Sequence, residues 1–198
     1  MKYISQLDFP DISYVTRTDL EGIEREKGLN TTVRSSGCGL CAAIMAADRL
    51  LVNYTFDLAD AIALSYAVKA NYKKGTCYKR FAPAFAEKLG LRWEANNDPE
   101  ALRNCLRTGG AAVIHSGGDR EGYIGVFSHG GHYITAVSEA PDGRIVILDP
   151  SYKEGKYEEE GRKGLVEVKN GVIALCDMQV LVNDSVNRDP GFHLFWRK

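Results

Sequence analysis

Cys38 stands in Ser35-Ser36-Gly37-Cys38-Gly39-Leu40-Cys41, where small residues run straight into an apolar, alanine-rich stretch. A thiol on the first turn of a helix faces unpaired backbone N–H groups and the positive end of the helix dipole. Both favour the thiolate, which is the nucleophilic form. Gly130-Gly131-His132-Tyr133 comes much later, and Leu148-Asp149-Pro150 after that. An imidazole titrates near neutrality, so it can take a thiol's proton and return it to a leaving group. A carboxylate behind the ring fixes its tautomer and favours its charged form. Cysteine, histidine and aspartate in this order point to nucleophilic catalysis, with Cys38 attacking, His132 moving the proton and Asp149 orienting the ring.

Each residue also has an ordinary reading. A free cysteine is most often a small buried apolar residue, and Asp-Pro is a common turn. Gly37 and Gly39 favour the functional reading, because they permit a tight entry turn and leave space for a substrate backbone. Of the four histidines, His129 falls in a loop, whereas His132 abuts a strand that can hold its ring in one direction. Cys38-Gly39-Leu40-Cys41 also has the C-x-x-C spacing of thiol-disulfide redox sites, in which the second thiol resolves a mixed disulfide. That reading lacks a clear preceding strand and a proline placed opposite the site.

The elements that must position these groups are legible in part. Helical spacing of Leu40, Ile44, Ala47 and Leu51 predicts a helix over Cys38–Leu51. Further helices are expected over Leu58–Asn71 after an Asp57 cap, over Lys79–Leu89, and from Asp98-Pro99 to Gly109-Gly110. Ala111–His115, Tyr133–Ser138 and Ile145–Leu148 read as strands, the last two joined by a Pro141-Asp142-Gly143 turn. That hairpin returns Asp149 to the start of the strand behind His132. Asn170-Gly171 predicts a second hairpin between Leu165–Val168 and Val172–Leu175, and Phe192–Trp196 a closing strand. Residues 3–8 read as a short strand, Asp19–Lys27 as a surface helix, Asn30–Gly37 as a loop, and the charged run 153–164 as a solvated loop. Helices lead and strands follow, which predicts an α+β fold with a cleft between the halves.

Composition bounds the rest. The 198 residues are enough for one domain spanning 1–198. A net charge of −1 gives no basic face for nucleic acid. No apolar run reaches the ~18 residues of a membrane span. Met1–Gln6 lacks an apolar export core, so a cytoplasmic location is expected by default, with a trimmed secreted form as the alternative. Five cysteines is an odd number, which leaves at least one unpaired, and no histidine has zinc-finger spacing. Neither a metal nor an organic cofactor is expected.

Ser36-Gly37-Cys38-Gly39 leading into Ala42-Ala43-Ile44-Met45, then Gly131-His132-Tyr133, then Asp149-Pro150, resembles the bacteriocin-processing (double-glycine) peptidase-like family of papain-like cysteine peptidases. The likeness is greatest to its free-standing bacterial members. Gln6-Leu7-Asp8, Thr32–Gly37, Gly75-Thr76 with Phe81, and Leu102 and Leu106 before Gly109-Gly110 resemble further family elements. The likeness runs from about residue 3 to 152. It implies a papain-like fold, proteolysis of a peptide or protein substrate, and no cofactor. It assigns Cys38 as nucleophile, His132 as general acid/base, Asp149 as orienting residue, and the Cys38 N–H with Gln6 as holders of the oxyanion. The chain departs at Leu40-Cys41, where many relatives carry Pro-Thr or similar small residues, which alters cleft packing. A redox protein, an acyltransferase and a peptide-binding module remain the alternatives.

Overall fold

The computed structural model describes residues 1–16, 32–72 and 75–198, and the helix expected over Asp19–Lys27 lies outside them. The chain is mixed helix and sheet. Helix α1 (Val33–Ser36) passes through Gly37 into α2 (Cys38–Leu50), followed by α3 (Leu58–Ala67), the short ribbon β1 (Asn71–Tyr72) and β2 (Gly75–Thr76), and α4 (Tyr78–Lys88). Then come β3 (Leu91–Asn96), α5 (Pro99–Arg107), β4 (Ala111–Ser116), β5 (His132–Glu139), β6 (Ile145–Leu148), β7 (Val166–Lys169), β8 (Ile173–Cys176), α6 (Met178–Ser185) and β9 (Phe192–Arg197).

Capping sets several boundaries. The Asp60 N–H donates to Asp57 Oδ1 at 3.0 Å, and the Glu100 N–H to Asp98 Oδ1 at 2.9 Å. Such caps each stabilise a helix start by about 1 kcal/mol. α3 stops at Ala67, short of the expected Asn71, because Lys69 turns left-handed at φ 54° and Asn71 joins the β1–β2 ribbon. Val33–Ser36 is helical rather than loop, since the Thr32 N–H donates to Ser35 Oγ at 3.2 Å and closes the first turn. Residues 3–8 are not a strand either. Gln6–Asp8 is a 3-10 turn, with Ser5 Oγ accepting the Leu7 N–H at 3.2 Å.

Seven strands form one antiparallel sheet in the order β3-β9-β4-β5-β6-β8-β7. β4 shows how it is buried. Ala111 and Val113 join a core with α2, α3 and α4, while Ala112 and Ile114 join a second core with α5 and α6. Alternate residues of a strand point to opposite faces, so a sheet covered on both sides needs apolar residues at every position. The expected separation of helices from strands is therefore incomplete. β3 comes from the first half yet pairs with β9, and α6 sits among the later strands. The alternation Leu91, Trp93, Ala95 against Arg92, Glu94, Asn96 carries the β3 signal. The Asn170-Gly171 hairpin forms with both residues left-handed, at φ 46° and 80°. Among the described residues no helix is long and apolar enough to cross a membrane.

α2 is the central helix. Every residue from Cys38 to Ala47 is buried. A helix apolar all round belongs inside a protein. Each fully buried Leu or Ile in it contributes about 1.5–3 kcal/mol. Thr135 Oγ donates to the Ala42 carbonyl at 2.9 Å and ties β5 to this helix. That tie fixes where the start of β5 stands relative to the start of α2.

Candidate active site

α2 begins at Gly37, which offers no side-chain cap, so its first-turn N–H groups stay free of side-chain partners. Cys38 is the first residue of that turn and is 9% exposed. The flanking glycines serve packing. A Cβ on Gly37 would lie 2.5 Å from Val33 Cγ1, and one on Gly39 would lie 3.0 Å from Thr76 Cβ and Tyr78 Cε2. The room beside them is filled by protein, not left for a substrate backbone as the sequence reading expects. Tyr78 also donates to the Gly39 carbonyl at 2.6 Å, which steadies the same turn.

His132 is the first residue of β5 and is buried. Its Nε2 lies 2.7 Å from Asp149 Oδ1 and 3.0 Å from Ser151 Oγ. The ring also stands close enough to the Cys38 sulfur for the two to act on each other's charge. With Nε2 engaged by Asp149, Nδ1 is the nitrogen left to serve the thiol. The three residues thus stand in the order Cys38, His132, Asp149. Their charges reinforce one another. Burial alone would raise the Cys38 thiol pKa, but the hydrogen bond and charge of His132, with backbone hydrogen bonds from Tyr133 and Gly39, bring it below the ordinary value. Burial opposes the imidazolium, yet Asp149 and Cys38 push the His132 pKa up to about 9. Burial likewise opposes the Asp149 carboxylate, and His132 and Lys156 hold its pKa well below the usual carboxylate range.

Gln6 is buried beside this site but turned to other partners. Its Nε2 donates to the Arg34 carbonyl at 2.8 Å and its N–H to the Pro150 carbonyl at 2.8 Å. His129 stands apart on the surface, 2.9 Å from Asp119 Oδ2. His115 and Tyr133 stack at 4.2 Å and Tyr133 on Tyr78 at 4.4 Å, so packing within the fold explains both. Cys41 is fully buried in α2, and burial, with the charge of Cys38, lifts its thiol far above the ordinary range.

Four residues around Asp149 have no part in the sequence reading. The Ser151 N–H donates to Oδ1 at 2.8 Å, Tyr157 OH donates to Oδ2 at 2.6 Å, and Lys156 Nζ donates to Oδ2 as well. Tyr3 OH donates to the Asp149 carbonyl at 2.8 Å. Only Ser151 carries a local signal, because aspartate commonly accepts the N–H two residues on. The run 153–164 is not simply a solvated loop. Lys156, Tyr157 and Arg162 are each buried, and Arg162 Nε donates to the Gly125 carbonyl at 2.9 Å. Compared with models of known families and with curated proteins, the chain matches none.

Proposed function

We propose that this chain is a cysteine peptidase of papain-like architecture, in which a helix-borne thiol meets a sheet-borne imidazole and carboxylate. The reading rests on one arrangement: the His132 ring lies 2.7 Å from Asp149 through Nε2 and close enough to Cys38 for their charges to support each other. It accords with the resemblance to the bacteriocin-processing peptidase-like family. In the proposed cycle the thiolate attacks a peptide carbonyl carbon and a C–S bond forms. The oxyanion takes a hydrogen bond from the Cys38 N–H, a donor of the kind that lowers the barrier by about 3 kcal/mol, and the family resemblance adds the amide hydrogen of Gln6 that the Arg34 carbonyl does not hold. His132 gives its proton to the leaving amine as the C–N bond breaks, which leaves a thioester. It then takes a proton from water, whose hydroxide attacks the thioester carbonyl and releases acid and thiolate. Water sets the outcome as hydrolysis, and an amine in its place would make the same chain an acyltransferase.

Iodoacetamide tests the central pair without knowledge of the substrate. At pH 6, Cys38 is alkylated at least ~10-fold faster than Cys41, Cys77, Cys105 or Cys176, because alkylation follows the thiolate fraction. Mass mapping of the five cysteines reads this directly. Equal, slow labelling of all five would overturn the proposal.

The redox alternative makes a different demand. A resolving thiol must ionise and reach a mixed disulfide, whereas Cys41 is 0% exposed and its thiol is disfavoured as thiolate. Cys41→Ser therefore leaves Cys38 alkylation within about twofold of the wild type and leaves hydrolysis intact. Loss of function in Cys41→Ser, beside a 38–41 disulfide formed by the wild type on oxidation, would favour redox chemistry instead.

A further inference from the structure

We propose that Lys156 is a positioning residue of this site: its ammonium grips the Asp149 oxygen that faces away from His132 and so keeps the other oxygen turned onto the ring. This rests on the Cys38–His132 reading above. Lys156 is 5% exposed, although it belongs to a charged run that ordinarily stays in water. A lysine that deep needs a partner, and the structure gives it two, Asp149 Oδ2 and Ser151 Oγ at 2.8 Å. Ser151 in turn lies 3.0 Å from His132 Nε2 and 3.1 Å from Asp149 Oδ1. Lys156, Asp149, His132 and Cys38 therefore form one file of contacts. In the working state their charges alternate, ammonium, carboxylate, imidazolium, thiolate, and cancel. Without Lys156 the same buried file carries a net negative charge.

The other polar groups at the carboxylate are neutral. Tyr157 shares Oδ2 and Ser151 shares Oδ1, while Tyr3 meets the Asp149 carbonyl, and burial raises the pKa of both phenols. Cys176, whose charge would act on Tyr157, is likewise kept as a thiol by burial. Lys156 is thus the one cation, among the described residues bonded to Asp149, besides the imidazolium itself.

Two backgrounds give opposite signs. With Asp149 in place, K156M removes a positive charge and a hold on the carboxylate. Cys38 alkylation by iodoacetamide at pH 6 slows about tenfold, a size usual for groups that orient a reacting side chain from behind. The pH midpoint of the alkylation rate moves up. With D149N, the ammonium is stranded beside a neutral amide and repels the imidazolium next to it. Removing it there helps the ring to charge, so D149N/K156M is alkylated about tenfold faster than D149N, and its midpoint moves back down. Lysine packing alone would produce losses of the same sign in both backgrounds, and that result overturns the proposal. So does an unchanged midpoint in K156M. K156Q carries the same comparison where K156M lacks a cooperative melting transition. The wild type separates the two levels of inference. If its Cys38 shows no preferential alkylation, the thiolate–imidazolium reading fails; if it does and the K156M signs are wrong, only the role of Lys156 fails.

Discussion

On the proposed peptidase mechanism, Cys38→Ala abolishes hydrolysis, lowering kcat by at least ~10,000-fold against any peptide the wild type cleaves. The remaining groups are badly placed to take over the attack, since the Ser151 hydroxyl on the ring is held by Asp149 and Lys156. His132 faces Asp149 through Nε2, and Cys41 is sealed within α2. The fold persists, because one sulfur atom is lost from a position that is already 9% exposed, and the cost is about 1 kcal/mol. A melting curve close to wild type, beside absent turnover, is the expected pair of results. Retained turnover would end the assignment of Cys38 as nucleophile. The variant also isolates the ring. A raised imidazolium pKa contributes stability that is fully present below about pH 6.5 and is lost as the pH rises through the raised value. In the wild type the lowered thiol pKa works the other way over much of that range, because it contributes stability as the pH rises toward the ordinary thiol value. With the thiol gone that opposing contribution disappears, and the difference in urea midpoints between Cys38→Ala and Cys38→Ala/His132→Gln, measured from pH 6 to 10, isolates the decline due to His132, because the buried Cys41, Cys105 and Cys176 thiols titrate alike in both.

Asp149→Asn destabilises the protein by about 3–5 kcal/mol, the usual cost of removing one partner from a buried charged pair. Asp149 is 1% exposed and is the carboxylate bonded to both His132 and Lys156. The amide keeps one acceptor oxygen, but its NH2 group points a donor at ammonium, hydroxyl or imidazole donors. Urea unfolding at pH 7 measures the loss. The acid side supplies an independent sign. A depressed carboxylate pKa contributes stability that is present above its unfolded value, about 3.9, and lost as the pH falls toward the folded value. The wild type therefore loses stability below about pH 4 with one proton's more dependence than Asp149→Asn. Equal stability and equal acid slopes in the two proteins would show that Asp149 is not the anchor of this network.

Legibility in the sequence followed the range of the forces involved. The Asp57 and Asp98 caps act within one turn, and both sit where the pattern places them. Asn170-Gly171 asks for two left-handed residues and receives them. Failures came where a distant partner outweighed a local preference. Gln6 leaves a strand-like run because its N–H finds the Pro150 carbonyl. Gly37 and Gly39 read as room for a ligand, but only packing reveals Val33, Thr76 and Tyr78 against them. Leu91–Asn96 shows its alternation openly, yet its place beside β9, at the edge of the sheet, is a matter of strand order.

From the chain alone came the residue types capable of the chemistry, Cys38, His132 and Asp149, and the turns and caps that set their local backbones. Those signals are short-ranged, since a cap or a turn is satisfied by atoms a few residues away. The tertiary structure decided which groups meet. It set Thr135 on the carbonyl of Ala42, brought the imidazole between sulfur and carboxylate, and drew Lys156 out of a charged run onto Asp149. Burial gives those meetings their energy, because low polarity strengthens every charge contact and penalises every unpaired one. That environment exists only after the helices have closed over both faces of the sheet.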